Sequence, residues 1–73
     1  MIALGKHVKW KKIKGDFYVY TEGFGTLGNL PTIGVRLHIV GDDGIMTSRV
    51  RSVDDQGDTF IVETEFSTYK VSI

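Results

Sequence analysis

Apolar and polar residues alternate along residues 32–53, and a short break divides this stretch into two runs. The first run has an apolar residue at every second position from Ile33 onward, and a second alternating run starts at Met46. The break between them, residues 41–44, consists of two glycines around two aspartates. A period of two is typical of a strand with one buried face, and Gly and Asp favour tight turns. The pattern predicts a β-hairpin at the centre of a small β-protein.

The apolar positions also predict the pairing within this hairpin. If Asp42 and Asp43 form the loop, the apolar residues of both strands lie on one face. A β-bulge at Gly44 would shift the register by one residue and turn one strand over, so the apolar match favours the register without it. The predicted pairs are Ile39 with Met46, Leu37 with Ser48 and Val35 with Val50.

A second hairpin is predicted in the N-terminal part of the chain. Residues 6–13 carry Val8 and Trp10 on one parity, which predicts a first strand whose apolar side faces inward. After a turn at residues 14–15, residues 17–22 alternate again and predict a second strand. Matching the apolar residues pairs Trp10 with Val19 and Val8 with Thr21, and leaves Tyr18 and Tyr20 on the other face.

Residues 23–31 are predicted to form one long loop. They include Gly23, Gly25 and Gly28 and end at Pro31, which holds the preceding residue in an extended conformation and blocks a helix. The apolar residues of the loop are expected either to close one end of a barrel as a lid or to stay exposed as a contact surface for a protein. These residues are Phe24, Leu27 and Leu30.

Two further turns divide the C-terminal half into three strands. Residues 54–57 fit a type I turn with Gly57 in the left-handed region, and a last turn lies around Phe66 and Ser67. Keeping the apolar residues on one face gives a register for both hairpins. The predicted pairs are Val50 with Val62 and Arg49 with Glu63 in the first hairpin, and Thr64 with Tyr69, Val62 with Val71, Phe60 with Ile73 and Glu63 with Lys70 in the second.

Together these elements predict an all-β fold. No helical period extends over a long stretch, and five to six short antiparallel strands in a meander favour a bent sheet that closes into a barrel. An SH3-like barrel is preferred to an OB-fold, which commonly has a longer chain and an inserted helix. We therefore expect a single domain over residues 1–73.

The size of the chain limits its core. At 73 residues only about 60% of the surface of the unfolded chain is buried on folding. There is no cysteine and there are two histidines, so neither a disulfide bond nor a structural zinc site is expected. The core must then be either very regular or completed by another subunit, and homo-oligomerisation is expected. The start of the chain lacks the apolar run of a signal peptide, and no segment is long enough to span a membrane, so a cytoplasmic location is expected.

The second half of the chain carries a pattern of small polar and apolar residues around its turns. The pattern consists of Thr47, Ser48 and Val50, a turn rich in Asp and Gly, and then Thr64, Ser67, Tyr69 and Val71. It resembles short SH3-like barrel proteins encoded by phages and their bacterial relatives, over about a third of the chain. The resemblance implies a compact accessory module that acts by binding, often as an oligomer. The lysine-rich first strand and the glycine-rich segment have no counterpart in this pattern.

Positive charge is concentrated at the start of a chain whose net charge is zero. Residues 1–15 contain five lysines and no acid, whereas residues 16–73 contain four cations and nine acids. The basic part could bind an anion or pair copies of the chain head to tail.

Cations beside aromatic rings on an outer strand face would bind phosphates and stack bases. The candidate site for nucleic acid or a nucleotide comprises Lys9, Trp10, Lys11, Tyr18, Tyr20, Arg36, Arg49 and Arg51. The alternative is a solvated face that Glu63 and Glu65 neutralise across the strands.

The three loop glycines have the G-x-G-x-x-G spacing of dinucleotide-binding folds. Those folds need a helix after the motif, whereas Pro31 and a β-run follow it here, so the dinucleotide interpretation is not supported. Glycine-rich backbone could still bind a phosphate through several exposed N–H groups. The simpler alternative is a flexible connector.

The chain offers little catalytic chemistry. His7 and His38 lie on different predicted strands, and the aspartates lie in turns, where Asp is favoured because it bonds the backbone. We therefore expect a non-enzymatic module without metal or cofactor that binds nucleic acid or a nucleotide. The alternative is a protein-interaction module, an inhibitor or structural adaptor, that uses residues 23–31. A third hypothesis is an enzyme that acts on a small nucleotide.

Overall fold

The structure is a computed structural model that describes residues 1–15 and 21–73. This part of the chain contains no helix, and its six antiparallel strands close into a barrel in the order of the sequence, with the first strand paired to both the second and the last. The predicted all-β meander, consistent with a small SH3-like barrel, is confirmed. The strands are β1 (His7–Lys14), β2 (Glu22–Leu27), β3 (Arg36–Val40), β4 (Ile45–Asp55), β5 (Thr59–Thr64) and β6 (Thr68–Ser72).

One core fills the barrel, and every strand contributes at least one side chain to it. Trp10 and Phe60 are its largest fully buried residues. Burial of each large apolar side chain stabilises the fold by about 1.5–3 kcal/mol. The core consists of Ile2, Val8, Trp10, Leu27, Leu37, Ile39, Val50, Phe60, Val62, Tyr69 and Val71.

The prediction of a loop over residues 23–31 is wrong in its first half, because Glu22–Leu27 forms β2. Trp10 pairs with Gly23 and Val8 with Gly25, instead of Val19 and Thr21. The two glycines face the interior, where space is short: a Cβ on Gly23 would collide with the Asp43 carbonyl oxygen and lie 2.9 Å from Trp10 Nε1. Glycine therefore serves here as a thin inward residue of a strand, and not as a turn former.

The central hairpin forms, with a different start and a bulge. β3 begins at Arg36, so Ile33 and Val35 lie outside the strand and are exposed. Near the turn Ile39 pairs with Ile45 and not with the predicted Met46, so the register there is shifted by one residue, as a bulge produces. Met46 is exposed as a result. The irregularity lies between Arg36 and His38, where the Leu37 N–H donates to Thr47 Oγ1 at 3.0 Å.

The registers predicted for the last two hairpins are also wrong. β4 continues to Asp55, so the turn comes later than expected, although Gly57 has the predicted left-handed φ of 90°. In the last hairpin the register differs by two residues, which keeps each side chain on its predicted face. The observed pairs are Val50 with Thr64, Ser52 with Glu63 and Val53 with Val62, and then Phe60 with Val71, Val62 with Tyr69, Ile61 with Lys70 and Glu63 with Thr68.

Candidate nucleic-acid interface

Three lysines surround a hollow on the outer face of β1 and β6. Lys9 and Lys11 project outward from β1 because Val8 and Trp10 occupy the inward positions between them. Closure of the barrel places Lys70 of β6 opposite Lys11 and Ser72 opposite Lys9. These four residues line a space of about 220 Å³, which we call the lysine hollow. Its ammonium and hydroxyl groups are hydrogen-bond donors suited to a phosphate.

An exposed aromatic ring lies next to this hollow. Phe24 of β2 pairs with Lys9 across the ladder, and its side chain is 52% exposed. The Lys9 Nζ atom lies 5.9 Å from the centroid of the Phe24 ring, within the range of a cation–π contact. The His7 ring is almost parallel to that of Phe24, with an interplanar angle of 6° and centroids 5.9 Å apart. Lys9 therefore joins a cationic hollow to a flat aromatic surface.

The lysines of the hollow have no ion-pair partner among residues 1–15 and 21–73. In that part of the chain the ion pair found joins the Met1 amino group to Asp55, 3.8 Å apart. Glu22 lies opposite Lys11 on the β2 side without forming such a pair. Like charges directly opposite each other, such as Lys11 and Lys70, destabilise a sheet, so a bound anion would relieve repulsion at this position.

Of the aromatic residues predicted for this site, the structure describes only Trp10, and Trp10 does not supply an exposed ring. Trp10 is 1% exposed, and its Nε1 donates a hydrogen bond of 2.7 Å to the Asp43 carbonyl, so it belongs to the core and cannot stack on a ligand. Tyr18 and Tyr20 lie outside the described residues. The exposed ring is Phe24, which the sequence analysis assigned to the alternative protein-contact site.

The arginines lie elsewhere on the barrel. Arg36 and Arg49 face each other across β3 and β4 and line a wide groove of about 540 Å³ together with Asn29, His38 and Met46, which we call the arginine groove. β2 separates this groove from β1 on one side, and β5 and β6 separate it on the other. The predicted lysines and arginines therefore do not lie on neighbouring strands, and the sequence pattern does not reveal which strands are neighbours.

Arg51 occupies a third environment. It lines an open hollow of about 340 Å³ with Lys14, Glu63 and Glu65, so two acids share its surroundings. Glu65 also accepts a hydrogen bond from the Arg49 backbone N–H, at 3.2 Å. Among the predicted cations, Arg51 is therefore the least suited to attract an anion.

The apolar residues predicted as a protein-contact loop are separated from one another. Leu27 is 1% exposed and belongs to the core, so it cannot contact a partner, while Phe24 lies on the outer face of β2 and Leu30 is 36% exposed. The glycine backbone is also engaged, since β2 pairs with β1 and the Gly28 N–H donates to the His38 carbonyl at 2.9 Å. A phosphate nest at these glycines would need free N–H groups.

Sequence reasoning missed Phe24, His7 and Lys70 as members of the basic face. The alternation of Phe24 with Gly23 and Gly25 could have indicated an outward position on a strand. Only the β1–β6 closure brings Lys70 to the hollow, and no local pattern reveals that pairing.

Comparison of this chain with family models, curated proteins and solved structures gives no match in any of the three. Within residues 1–15 and 21–73 there is no helix with the length and hydropathy needed to cross a membrane.

Proposed function

We propose that this barrel is a non-enzymatic module that binds single-stranded nucleic acid through the lysine hollow and Phe24. One observation carries the proposal: Lys9 lines the hollow and also contacts the exposed ring of Phe24. A backbone phosphate in the hollow would thus lie beside a base stacked on that ring. Cationic grooves with aromatic platforms are the common means by which proteins bind single strands without sequence preference.

The charges around the hollow support an anionic ligand. Lys11 and Lys70 repel each other in the free protein, and a phosphate between them would turn that repulsion into attraction. Glu22 beside Lys11 reduces the attraction on one side, so we expect the phosphate to lie toward Lys9 and Ser72.

The exposed ring favours a single strand over a duplex. A base can stack on Phe24 only if its own face is free, and base faces are covered by neighbouring pairs inside a duplex. His7 lies almost parallel to Phe24 and extends the flat surface along β1. A free nucleotide offers the same phosphate and base, so the test below separates it from a longer strand.

The cellular location and the assembly state belong to the same proposal. We place the protein in the cytoplasm, where nucleic acid is accessible, as an accessory protein that acts by binding and self-associates. Contact with a partner protein through Phe24 and Leu30 stays a prediction for the alternative function.

Fluorescence anisotropy with labelled oligothymidine tests the proposal. If three lysines contact phosphates, the slope of log K against log salt is about −2, so binding weakens about 20-fold between roughly 50 and 200 mM salt. Replacing Lys9 and Lys70 by Gln should lower the magnitude of this slope by about 1.4. The matched control replaces the exposed Lys6 and Lys14, which lie outside the hollow, by Gln and should keep the slope.

Three outcomes contradict the proposal. Absence of binding at about 50 mM salt, where phosphate contacts are strong, would exclude a nucleic-acid site. Equal loss in the Lys6/Lys14 control would mean that binding follows total charge and not the hollow. If thymidine monophosphate competes as well as the oligonucleotide at equal concentration, the site holds a nucleotide and not a strand.

A further inference from the structure

The arginine groove is a second cationic site that the proposed function does not use. Arg36 and Arg49 are exposed and directly opposite each other, which places their Cβ atoms about 4.5–5.5 Å apart. Neither guanidinium forms an ion pair among residues 1–15 and 21–73. The groove therefore places two positive charges on adjacent strands. The Glu65 carboxylate, which accepts a hydrogen bond from the Arg49 backbone N–H at 3.2 Å, offsets part of that charge on the β4 side.

The backbone below these arginines is held in place by Asn29. Its Nδ2 atom donates to the Arg36 carbonyl at 2.8 Å, and its Oδ1 atom accepts from the His38 N–H at 2.8 Å. The Asn29 side chain thus bonds β3 beyond the end of β2, at the positions where a neighbouring strand would bond it. These bonds hold the backbone at Arg36, and the β3–β4 pairing places Arg49 opposite it. Two arginines on neighbouring strands supply the donors that suit phosphate oxygens.

The two cationic sites face different directions. The lysine hollow lies on β1 and β6, and the arginine groove lies on β3 and β4, with β2 between them on one side and β5 on the other. The barrel measures 28 × 25 × 18 Å, so the two faces are separated by the body of the protein. A ligand seated on one face leaves the other free.

We propose that one barrel binds two separate nucleic-acid strands at once, one in the lysine hollow and one in the arginine groove, and so bridges them. This inference rests on the proposed function, because it adds a second strand to the first. The occupant of the groove is a phosphodiester backbone, whose oxygens match the paired guanidinium forks. Met46 is 53% exposed at the edge of the groove and offers an apolar contact to a sugar or base.

A two-strand capture assay tests this bridging. Biotinylated oligothymidine on beads is loaded with protein and washed, and fluorescein-labelled oligothymidine is then added; the strands cannot pair with each other. The wild-type protein should recruit the labelled strand. For a variant with Arg36→Gln and Arg49→Gln, the amount of protein retained on the beads should be within about twofold of wild type. The amount of labelled strand that it recruits should be at least about tenfold lower, because two phosphate contacts are lost. The Lys6→Gln/Lys14→Gln control should recruit as wild type does.

The outcomes separate the two proposals. If the wild-type protein does not stay on the beads, the proposed function fails. If it stays but recruits no labelled strand, only bridging fails. If the arginine variant releases the first strand as readily as the Lys9→Gln/Lys70→Gln variant does, one strand crosses both faces and bridging is overturned.

Self-association is the other way in which the protein could bridge two strands, since each subunit of an oligomer would present its own lysine hollow. Sedimentation in the assay buffer gives the subunit number of each variant. Recruitment that persists in the arginine variant, at any subunit number, overturns the inference. Melting curves by circular dichroism check that all variants are folded. A further variant, Arg36→Lys with Arg49→Lys, should restore only part of the recruitment, because it restores the charge but not the guanidinium forks.

Discussion

The indole Nε1 of Trp10 donates a hydrogen bond of 2.7 Å to the main-chain carbonyl of Asp43, 33 residues away in the chain. This bond connects β1 to the turn between β3 and β4 and passes next to Gly23. A side chain at Gly23 would occupy the space of the two bonded atoms. A single buried ring therefore connects three strands of the barrel and fills much of its core.

The first prediction concerns this hydrogen bond. Trp10→Phe removes the donor and part of the ring, leaving the Asp43 carbonyl without its partner. Loss of a buried partner costs about 1–3 kcal/mol, and the space left by the smaller ring adds to that cost. Urea unfolding should show a free energy of unfolding lower by at least about 2 kcal/mol. An unchanged midpoint would mean that the bond contributes nothing to the fold.

A pair of glycine substitutions separates steric from backbone effects. Gly23→Ala should destabilise strongly, because the new Cβ collides with the Asp43 carbonyl and crowds Trp10. Gly57→Ala meets no atom within 4 Å, but its φ of 90° strains any L-residue and should cost about 1–2 kcal/mol. Thermal melts compare the two, and Trp10 fluorescence should shift in the Gly23 variant alone. Equal losses with unshifted fluorescence would contradict the close packing of β2.

Tyr69 predicts a loss of stability at alkaline pH. Burial raises the pKa of its phenol above the ordinary value of 10.0, and a hydrogen bond with Ser67 offsets part of that rise. The folded protein thus holds the proton more tightly than the unfolded chain does. The stabilisation is complete below about pH 10 and is lost as the pH rises through the pKa of the folded state.

Tyr69→Phe provides the comparison, since it keeps the ring that packs edge-on against Trp10. The free energy of unfolding should fall less steeply above about pH 10 in this variant than in the wild type. The two proteins differ only in this phenol, so the difference between the two curves isolates Tyr69. Parallel curves would show that the phenol does not contribute.

Asn29 should matter for stability as well as for the arginine groove. Asn29→Ala removes two hydrogen bonds to β3, and each contributes about 0.5–1.5 kcal/mol. The matched variant Asn29→Asp keeps an acceptor for the His38 N–H and loses the donor to the Arg36 carbonyl, so we expect an intermediate stability. If both variants have the melting temperature of the wild type, the two Asn29 hydrogen bonds do not stabilise β3.

Phe24 tests the stacking part of the proposed function. Phe24→Ala should weaken binding of oligothymidine by about 1–3 kcal/mol, the range for one stacked base, while the salt dependence stays the same. Phe24→Tyr keeps the flat ring and should bind as the wild type does. Since Phe24 is half exposed, the melting temperature should change little in either variant. A change in the salt slope would indicate a disturbed hollow instead.

Alternation predicted which side chains face inward in β1, β5 and β6, but not in the whole central hairpin, where Met46 is exposed, and not which strands meet. Lys9 and Lys11 point outward and Val8 inward as expected, because parity is a local property of a strand. Pairing errors of two residues, as in the last hairpin, preserve parity and therefore leave no trace in the hydrophobic pattern. Gly23 and Gly25 were predicted to lie in a loop and instead lie in β2, since glycine is found in turns more often than at crowded strand positions.

The functional face depended on information that no local pattern contains. Lys70 joins Lys9 and Lys11 only through the seam between β1 and β6, some 60 positions apart in the chain. The arginines lie away from the lysines because closure inserts β2 on one side and β5 with β6 on the other. Local periodicity could identify the charged outer positions, but their grouping follows from the topology.

The seam between β1 and β6 also determines when this protein can fold during its synthesis. Because the first strand needs the last as its neighbour, the nascent chain cannot complete its barrel until residue 72 has been translated. Until then Trp10 and Val8 lack part of their covering, and contacts between such distant segments form slowly. Before β6 is available the barrel therefore stays open at this seam, and chaperones could recognise the apolar residues along it.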